Sequence, residues 1–180
     1  MMRKTKKRGS QPLVSIFKQL GIPASYGQSP PLPRFDEPEM LVDAGSNIMG
    51  RPQRLTPETN QAWKEMTAAA AADSIELQIV SGFRSIADQA TLIWNKLCEG
   101  QPIDIILKVN TAPGFSQHHS GRAIDITTPS VRPLTEPFNE SPAFQWLEKN
   151  AVRFGFVLPY GKNNEQGLHY EPWHWFFMQK

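Results

Sequence analysis

The sequence predicts an α+β fold, a small and mostly antiparallel sheet with helices packed on one side. Three observations carry that expectation. Residues 75–80 (Ile-Glu-Leu-Gln-Ile-Val) and 123–127 (Ala-Ile-Asp-Ile-Thr) alternate with the period of two that a strand with one polar face requires. Residues 86–97 and 144–154 instead place apolar side chains at helical spacing. These two kinds of run interleave along the chain, which suits helices laid against one face of an antiparallel sheet.

Taken in order, residues 1–37 open with a basic tip, Arg3, Lys4, Lys6, Lys7 and Arg8, followed by a short helical stretch at 13–20. Pro23, Pro30, Pro31 and Pro33 then restrict regular structure, because proline lacks the amide donor and fixes φ. This segment reads as a tail that packs on the domain or moves freely, and residues 38–180 read as the domain itself. Thr56 starts the first long helix: it is a good N-cap, with Pro57 at the first helical position and Glu58 in the first turn. Ala62, Trp63, Met66, Ala69 and Ala70 continue it.

The strand at 75–80 delivers Ser81-Gly82-Phe83-Arg84-Ser85 at its end. In the helix that follows, Ala90, Ile93, Trp94 and Leu97 form one apolar stripe. In the strand at 123–127, Ile124 and Ile126 share a face opposite Asp125, so the carboxylate points out of the core. Trp146, Leu147 and Val152 mark the helix at 144–154, which Gly155 is placed to stop, and a strand at about 173–178 closes the chain.

Composition bounds the partners. A chain of 180 residues, 39% hydrophobic, supports one domain with a real core. Five of its 19 basic residues fall in the first eight positions, so the remaining 14 face 17 acidic residues and leave the body at −3, unsuited to a general nucleic-acid surface. The apolar run Leu13-Val14-Ser15-Ile16-Phe17 ends at Lys18, short of a secretory core, and no stretch approaches a membrane span. Cys98 is the single cysteine, which rules out an intramolecular disulfide and a cysteine-rich zinc site. The expectation is a cytoplasmic protein, or one exported by a route its sequence does not advertise; no motif sets an oligomeric state.

Two islands carry the chemistry. Residues 116–125 hold Ser116, the doubled His118-His119, a Ser120-Gly121 turn and Asp125; residues 171–175 hold Glu171, Trp173, His174 and Trp175. Together they offer imidazoles and a carboxylate for a metal, with a second carboxylate for a base. Catalytic zinc typically takes three protein ligands and leaves a position open, so this is a parts list for a hydrolytic zinc enzyme. Singly, each residue has a plainer use: a lone histidine is more often packed in a core, a glutamate paired on the surface, an arginine solvated. The Gly121 turn that can fold His118 back toward Asp125 favours the metal. Thr127 and Ser130 could serve as supporting donors, but as single residues they read as ordinary surface hydroxyls. His169, five residues before His174, lacks the i, i+4 spacing of helical zinc motifs and is read as structural.

At these residues the sequence resembles the VanY-type D-alanyl-D-alanine carboxypeptidase family, within the larger group that includes zinc D-alanyl-D-alanine dipeptidases and the hedgehog signalling domain. Residues 116–125 fit its S-x-H-x-x-G-x-A-x-D pattern, residues 171–174 its E-x-W-H, and residues 81–85 with Gln89 its S-G-Y-R-S…Q, with Phe83 where tyrosine is commoner. The similarity covers residues 38–180. It implies His118, Asp125 and His174 as ligands of one catalytic Zn2+, Glu171 as general base, Arg84 as the group that holds or polarises substrate, and Ser116 and Gln89 beside it. Trp173 is expected as a wall of the substrate pocket.

The activity so implied is removal of a terminal D-alanine from peptidoglycan stem peptides. L,D-cleavage of tetrapeptides, in cell-wall recycling, is the expected form, because a cytoplasmic D,D-enzyme would attack the cell's own precursors. D,D-cleavage of pentapeptides and an endopeptidase or endolysin are the alternatives. A zinc-containing binding module is the non-enzymatic one, against which Glu171 and Arg84 argue. An iron oxygenase also uses two histidines and a carboxylate, but there the acid usually follows the first histidine by two residues, not by seven as Asp125 follows His118.

Overall fold

A computed structural model describes residues 12–178. The basic tip lies outside the described residues. The elements are α1 (Leu13–Leu20), a hairpin of β1 (Val42–Ser46) and β2 (Pro52–Leu55), α2 (Pro57–Ala72), β3 (Gln78–Ser81), α3 (Ile86–Cys98), α4 (Ile103–Val109), β4 (Ala123–Thr127), α5 (Pro142–Asn150), β5 (Phe156–Val157) and β6 (His174–Phe177). Short 3-10 helices at Gln117–Ser120, Glu136–Glu140 and Ala151–Phe154 connect them. The main sheet is antiparallel throughout, in the order β3-β4-β6-β5, which makes this an α+β fold.

The two faces of β4 divide the molecule. Ile124 and Ile126, both fully buried, join Trp63, Met66, Ile79, Phe144, Leu147, Phe156 and Trp175 in the principal core, which α2 and α5 cover. Full burial of one such aliphatic side chain stabilises by roughly 1.5–3 kcal/mol. Asp125 faces the other way, toward the cleft.

A second apolar cluster flanks that cleft. Ile16, Leu20 and Ile22, from the segment read as a tail, pack with Ile93 of α3, Ile106 of α4 and Phe115. Residues 12–37 therefore lie against the body of the protein along this cluster.

Side-chain caps place the helix starts. Thr59 N–H donates to the Thr56 hydroxyl at 3.4 Å, Asp88 N–H to that of Ser85 at 3.0 Å, and Phe144 N–H to that of Ser141 at 3.1 Å. The Ser141 cap starts α5 two residues earlier than the apolar pattern indicates. Its last turn tightens to 3-10 geometry from Ala151, before Gly155 at φ 82° ends it. Likewise the strand expected at 75–80 pairs only over Gln78–Ser81, with an irregularity near its end that sets Ser81 opposite Asp125.

The β1–β2 hairpin, α4 and β5 have no counterpart in the sequence expectations, for physical reasons. The β1 residues Val-Asp-Ala-Gly-Ser are mostly exposed and carry little apolar alternation. The α4 run Ile-Asp-Ile-Ile-Leu-Lys-Val is rich in β-branched residues and follows Pro102. Two residues, the whole of β5, show no period at all.

Candidate metal centre and cleft

Register builds the site. Asp125 pairs with Ser81 of β3 on one side and with His174 of β6 on the other, so three strands deliver their side chains to one spot. His118 arrives from the 3-10 helix Gln117–Ser120, which Gly121 turns toward β4 in a left-handed conformation (φ 66°). A side chain at Gly121 would also place its Cβ 2.8 Å from Leu41, so the turn that returns His118 to Asp125 needs glycine there.

His118, Asp125 and His174 are all buried and offer ligand atoms within 4.8 Å of one another. Their hydrogen bonds fix which atoms face inward. His118 Nδ1 lies 2.6 Å from the Gly82 carbonyl, which can only accept, so Nδ1 carries the proton. Burial holds the His118 pKa below its ordinary value, leaving Nε2 as a bare lone pair, 3.3 Å from Asp125 Oδ2. His174 Nε2 donates to the Gln117 side-chain oxygen at 2.9 Å, which turns its own Nδ1 lone pair onto Asp125 Oδ1 at 3.0 Å.

Burial pushes the Asp125 carboxyl up, but its two imidazole neighbours outweigh that and hold it below its ordinary range, so it is a carboxylate. Two imidazole lone pairs thus converge on one carboxylate. Acceptors in that arrangement repel unless a cation sits among them, and two nitrogens with one carboxylate oxygen are a familiar donor set for zinc. The site fits the metal.

The doubled histidine separates cleanly. His119 Nδ1 donates to the Arg84 carbonyl at 2.7 Å, and Gly114 N–H donates to its Nε2 at 3.0 Å. Fully buried with both ring nitrogens engaged, His119 is a structural bridge, which leaves the metal to His118.

Glu171 stands beside this centre, Oε2 being 3.9 Å from His174 Nδ1. Burial raises its pKa to about 7, Asp125 adds to the rise, and His174 and Arg84 oppose it. Arg84 enters from the opposite wall, its two terminal nitrogens donating to Gln89 Oε1 at 3.0 Å and Ser81 Oγ at 3.1 Å. Gln89, expected beside the substrate, is buried and also donates to the Thr111 carbonyl at 2.7 Å, so its amide braces Arg84. Ser116 and Trp173 line the same cleft, which encloses about 740 Å³.

Neither the Thr127 nor the Ser130 hydroxyl reaches the three candidate ligands, in keeping with their reading as ordinary hydroxyls. Thr127 donates to Val131 in its own turn, and Ser130 is exposed at φ 74°. His169 sits on the rim, 3.6 Å from Glu136.

Two contributors escaped the sequence reading. Gln117 fills a variable position inside the first island, and only its contact with His174 reveals its use. Tyr160 stacks on His174 at 4.8 Å and 26°, and burial followed by the Glu171 charge pushes its hydroxyl pKa up, so it remains a proton donor. Its signal in the sequence is no more than an aromatic in a Pro-Tyr-Gly turn.

Known proteins resemble this chain in sequence and in fold. YodJ of Bacillus subtilis (strain 168), itself only provisionally named a carboxypeptidase, is 32% identical over 173 residues, covering 90% of this chain and 58% of that protein. The chain thus spans little more than half the length of that relative. The bifunctional D-Ala-D-Ala dipeptidase and carboxypeptidase VanXYC of Enterococcus gallinarum is 26% identical over 149 residues, 80% of this chain and 76% of that one. Among solved structures, the LdcB LD-carboxypeptidase superposes with a TM-score of 0.70 at 32% identity, covering 78% of this chain and 69% of its own. A VanY D,D-pentapeptidase in complex with Zn(II) shares the fold, with a TM-score of 0.62 at 24% identity and coverage of 83% of each chain. Residues 52–180, which hold every candidate site residue, match the VanY family described as D-alanyl-D-alanine carboxypeptidase, and the chain belongs to that family.

Proposed function

We propose that this chain is a zinc-dependent carboxypeptidase that removes the terminal D-alanine from peptidoglycan stem peptides. The observation that carries the reading is the convergence of the His118 and His174 lone pairs on Asp125 with Glu171 alongside. Zinc held by His118, Asp125 and His174 would supply the Lewis acidity that polarises a carbonyl and makes water nucleophilic near neutral pH.

The chain's own residues supply the rest. Glu171 accepts a proton from the water as the C–O bond forms, then delivers it to the amine of the departing D-alanine as the C–N bond breaks. A carboxyl with a pKa near 7 suits both halves of that transfer. Arg84, oriented by Gln89 and Ser81, offers its guanidinium to the oxyanion that develops on the carbonyl. Tyr160 stacks against His174 and holds its ring, while Ser116 and Trp173 border the peptide.

Within this activity the L,D-reaction on tetrapeptides is favoured by the likeness to the LdcB LD-carboxypeptidase at 32% identity. D,D-cleavage of pentapeptides is the second reading, favoured by the family description and by VanXYC. A cytoplasmic role in wall recycling goes with the first, because a D,D-enzyme there would consume wall precursors; cell fractionation tests the location. Mass spectrometry of zinc-loaded protein incubated with tetrapeptide and pentapeptide muropeptides, beside the Glu171→Ala variant, decides between the bonds. Alanine lost from the tetrapeptide alone establishes L,D-cleavage, and loss from the pentapeptide establishes D,D-cleavage. Loss from neither overturns the carboxypeptidase reading and leaves an endopeptidase or a zinc-containing binding module.

A further inference from the structure

The cleft continues well beyond the metal centre, and α3 forms one of its walls. Gln89, Leu92 and Lys96 all line it. They are spaced three and four residues apart, so they occupy one face of the helix in succession. Gln89 marks the reacting end, because it holds Arg84. Seven residues at the helical rise put Lys96 roughly 10 Å farther along. Leu92 supplies an apolar step between them.

Lys96 is half-buried in this wall and forms no ion pair among the described residues. Glu136, which also lines the cleft, has His169 rather than Lys96 as its neighbour, at 3.6 Å. An ammonium set into a cleft wall without a carboxylate partner is suited to meet one on a ligand.

Resting on the peptidase reading above, the geometry points to Lys96 as a specificity residue that pairs with a second carboxylate of the substrate, upstream of the scissile bond. The terminal carboxylate belongs to the departing residue and lies too close to the reacting carbonyl. An extended chain advances roughly 3.3 Å per residue, so about 10 Å is within reach of carboxylates borne on the side branches of the first two residues on the acyl side. Stem peptides present two carboxylates in that direction: the free α-carboxylate of a γ-linked D-glutamyl residue, and the side-chain carboxylate of a diaminopimelyl residue. Both offer the same chemistry, and amidation removes either.

The test uses full-length, zinc-loaded Glu171→Ala protein, in which binding is measured without turnover. Calorimetry with three tetrapeptides separates the sources: L-Ala-γ-D-Glu-L-Lys-D-Ala, its D-isoglutamine form, and the D-isoglutamine form with meso-diaminopimelate at the third position. One of the two peptides with a second carboxylate should bind about fivefold tighter than the D-isoglutamine lysyl form that lacks it, a contrast that fades with salt. Adding Lys96→Met should bring that ratio to about one, and Lys96→Arg should keep it. A ratio unchanged by Lys96→Met, equal binding of all three peptides, or no binding overturns the assignment and leaves Lys96 as a cation complementing the end of α3. Wild-type protein assayed on the same peptides keeps the two readings apart. A Lys96-dependent preference without hydrolysis sinks the peptidase reading alone, and hydrolysis without preference sinks the Lys96 reading alone.

Discussion

Asp125 and His174 are register partners on adjacent antiparallel strands, and their side chains meet at 3.0 Å on the cleft face while their neighbours Ile124 and Trp175 pair in the core. The same alternation that buries one face therefore aims the candidate ligands of the other. Shifting the β4–β6 register by one residue would exchange the two sets. Asp125→Asn keeps the shape of this pair but removes its charge. The expected outcome is loss of stoichiometric zinc by elemental analysis, and of the roughly 2.7 kcal/mol that a ligand at 100 times its Kd adds to stability. A variant that retains one equivalent of zinc and a zinc-dependent rise in Tm would show that Asp125 is not a ligand.

Gln117 should matter through His174. Its side-chain oxygen accepts from Nε2 and so directs the Nδ1 lone pair to the metal. Gln117→Leu is expected to weaken zinc affinity by about 10- to 100-fold in competition with a chelator, whereas Gln117→Glu, which keeps an acceptor, should recover most of it. Equal affinity in all three proteins would remove Gln117 from the site.

Much of this centre can be read from the sequence, because it rests on short-range constraints. Gly121 must be glycine for its left-handed turn, and the alternation in β4 sends Asp125 away from Ile124. Those local facts bring His118 and Asp125 together before any tertiary contact is known. What remains hidden is long-range. The family pattern falls on His118, but what the His119 ring does instead is not legible until the Arg84 carbonyl and the Gly114 amide are seen on its two nitrogens. Tyr160 is equally silent, since its stacking on His174 depends on how the preceding turn folds over the strand end. The β1–β2 hairpin escaped for a third reason: its β1 strand is largely exposed and has little apolar pattern to detect.

Glu171 gives a pH dependence of definite sign. Its pKa is raised to about 7 in the folded protein from an ordinary 4.5, so between those values the native state holds a proton that the unfolded chain has released. Metal-free protein should therefore lose stability as pH rises through that window, and at pH 8 Glu171 is ionised against its burial. Glu171→Gln is expected to stabilise the metal-free protein at pH 8 by about 1–3 kcal/mol and to make little difference at pH 4. Urea denaturation at the two pH values measures this, and equal differences at both would refute it.

Under the proposed mechanism the same carboxyl should set the acid limb of catalysis. As a base Glu171 works only when ionised, so kcat/KM should rise with pH through its apparent pKa. The positive charge of a bound metal favours the carboxylate, which puts the limb at or below pH 7 in the loaded protein. Glu171→Gln should lower kcat by about 10²- to 10⁴-fold with zinc content unchanged, and its residual rate should lack that limb. Zinc lost in parallel with the rate would mean that Glu171 serves the metal rather than the proton.

His119 supplies the sharpest separation of structure from chemistry. Its ring joins the Gly114 amide to the Arg84 carbonyl and is completely buried, so removing it leaves a cavity and two unpaired backbone groups. His119→Ala should destabilise the protein by about 2–5 kcal/mol, read from urea midpoints, while the variant still binds one zinc at temperatures where it is folded. His118→Ala should do the reverse, abolishing zinc binding at a smaller cost to the metal-free protein, whose Asp125 is then relieved of an opposing lone pair. Should zinc binding vanish in the His119 variant and persist in the His118 variant, the two imidazoles would have to exchange roles, and the turn at Gly121 would need another explanation.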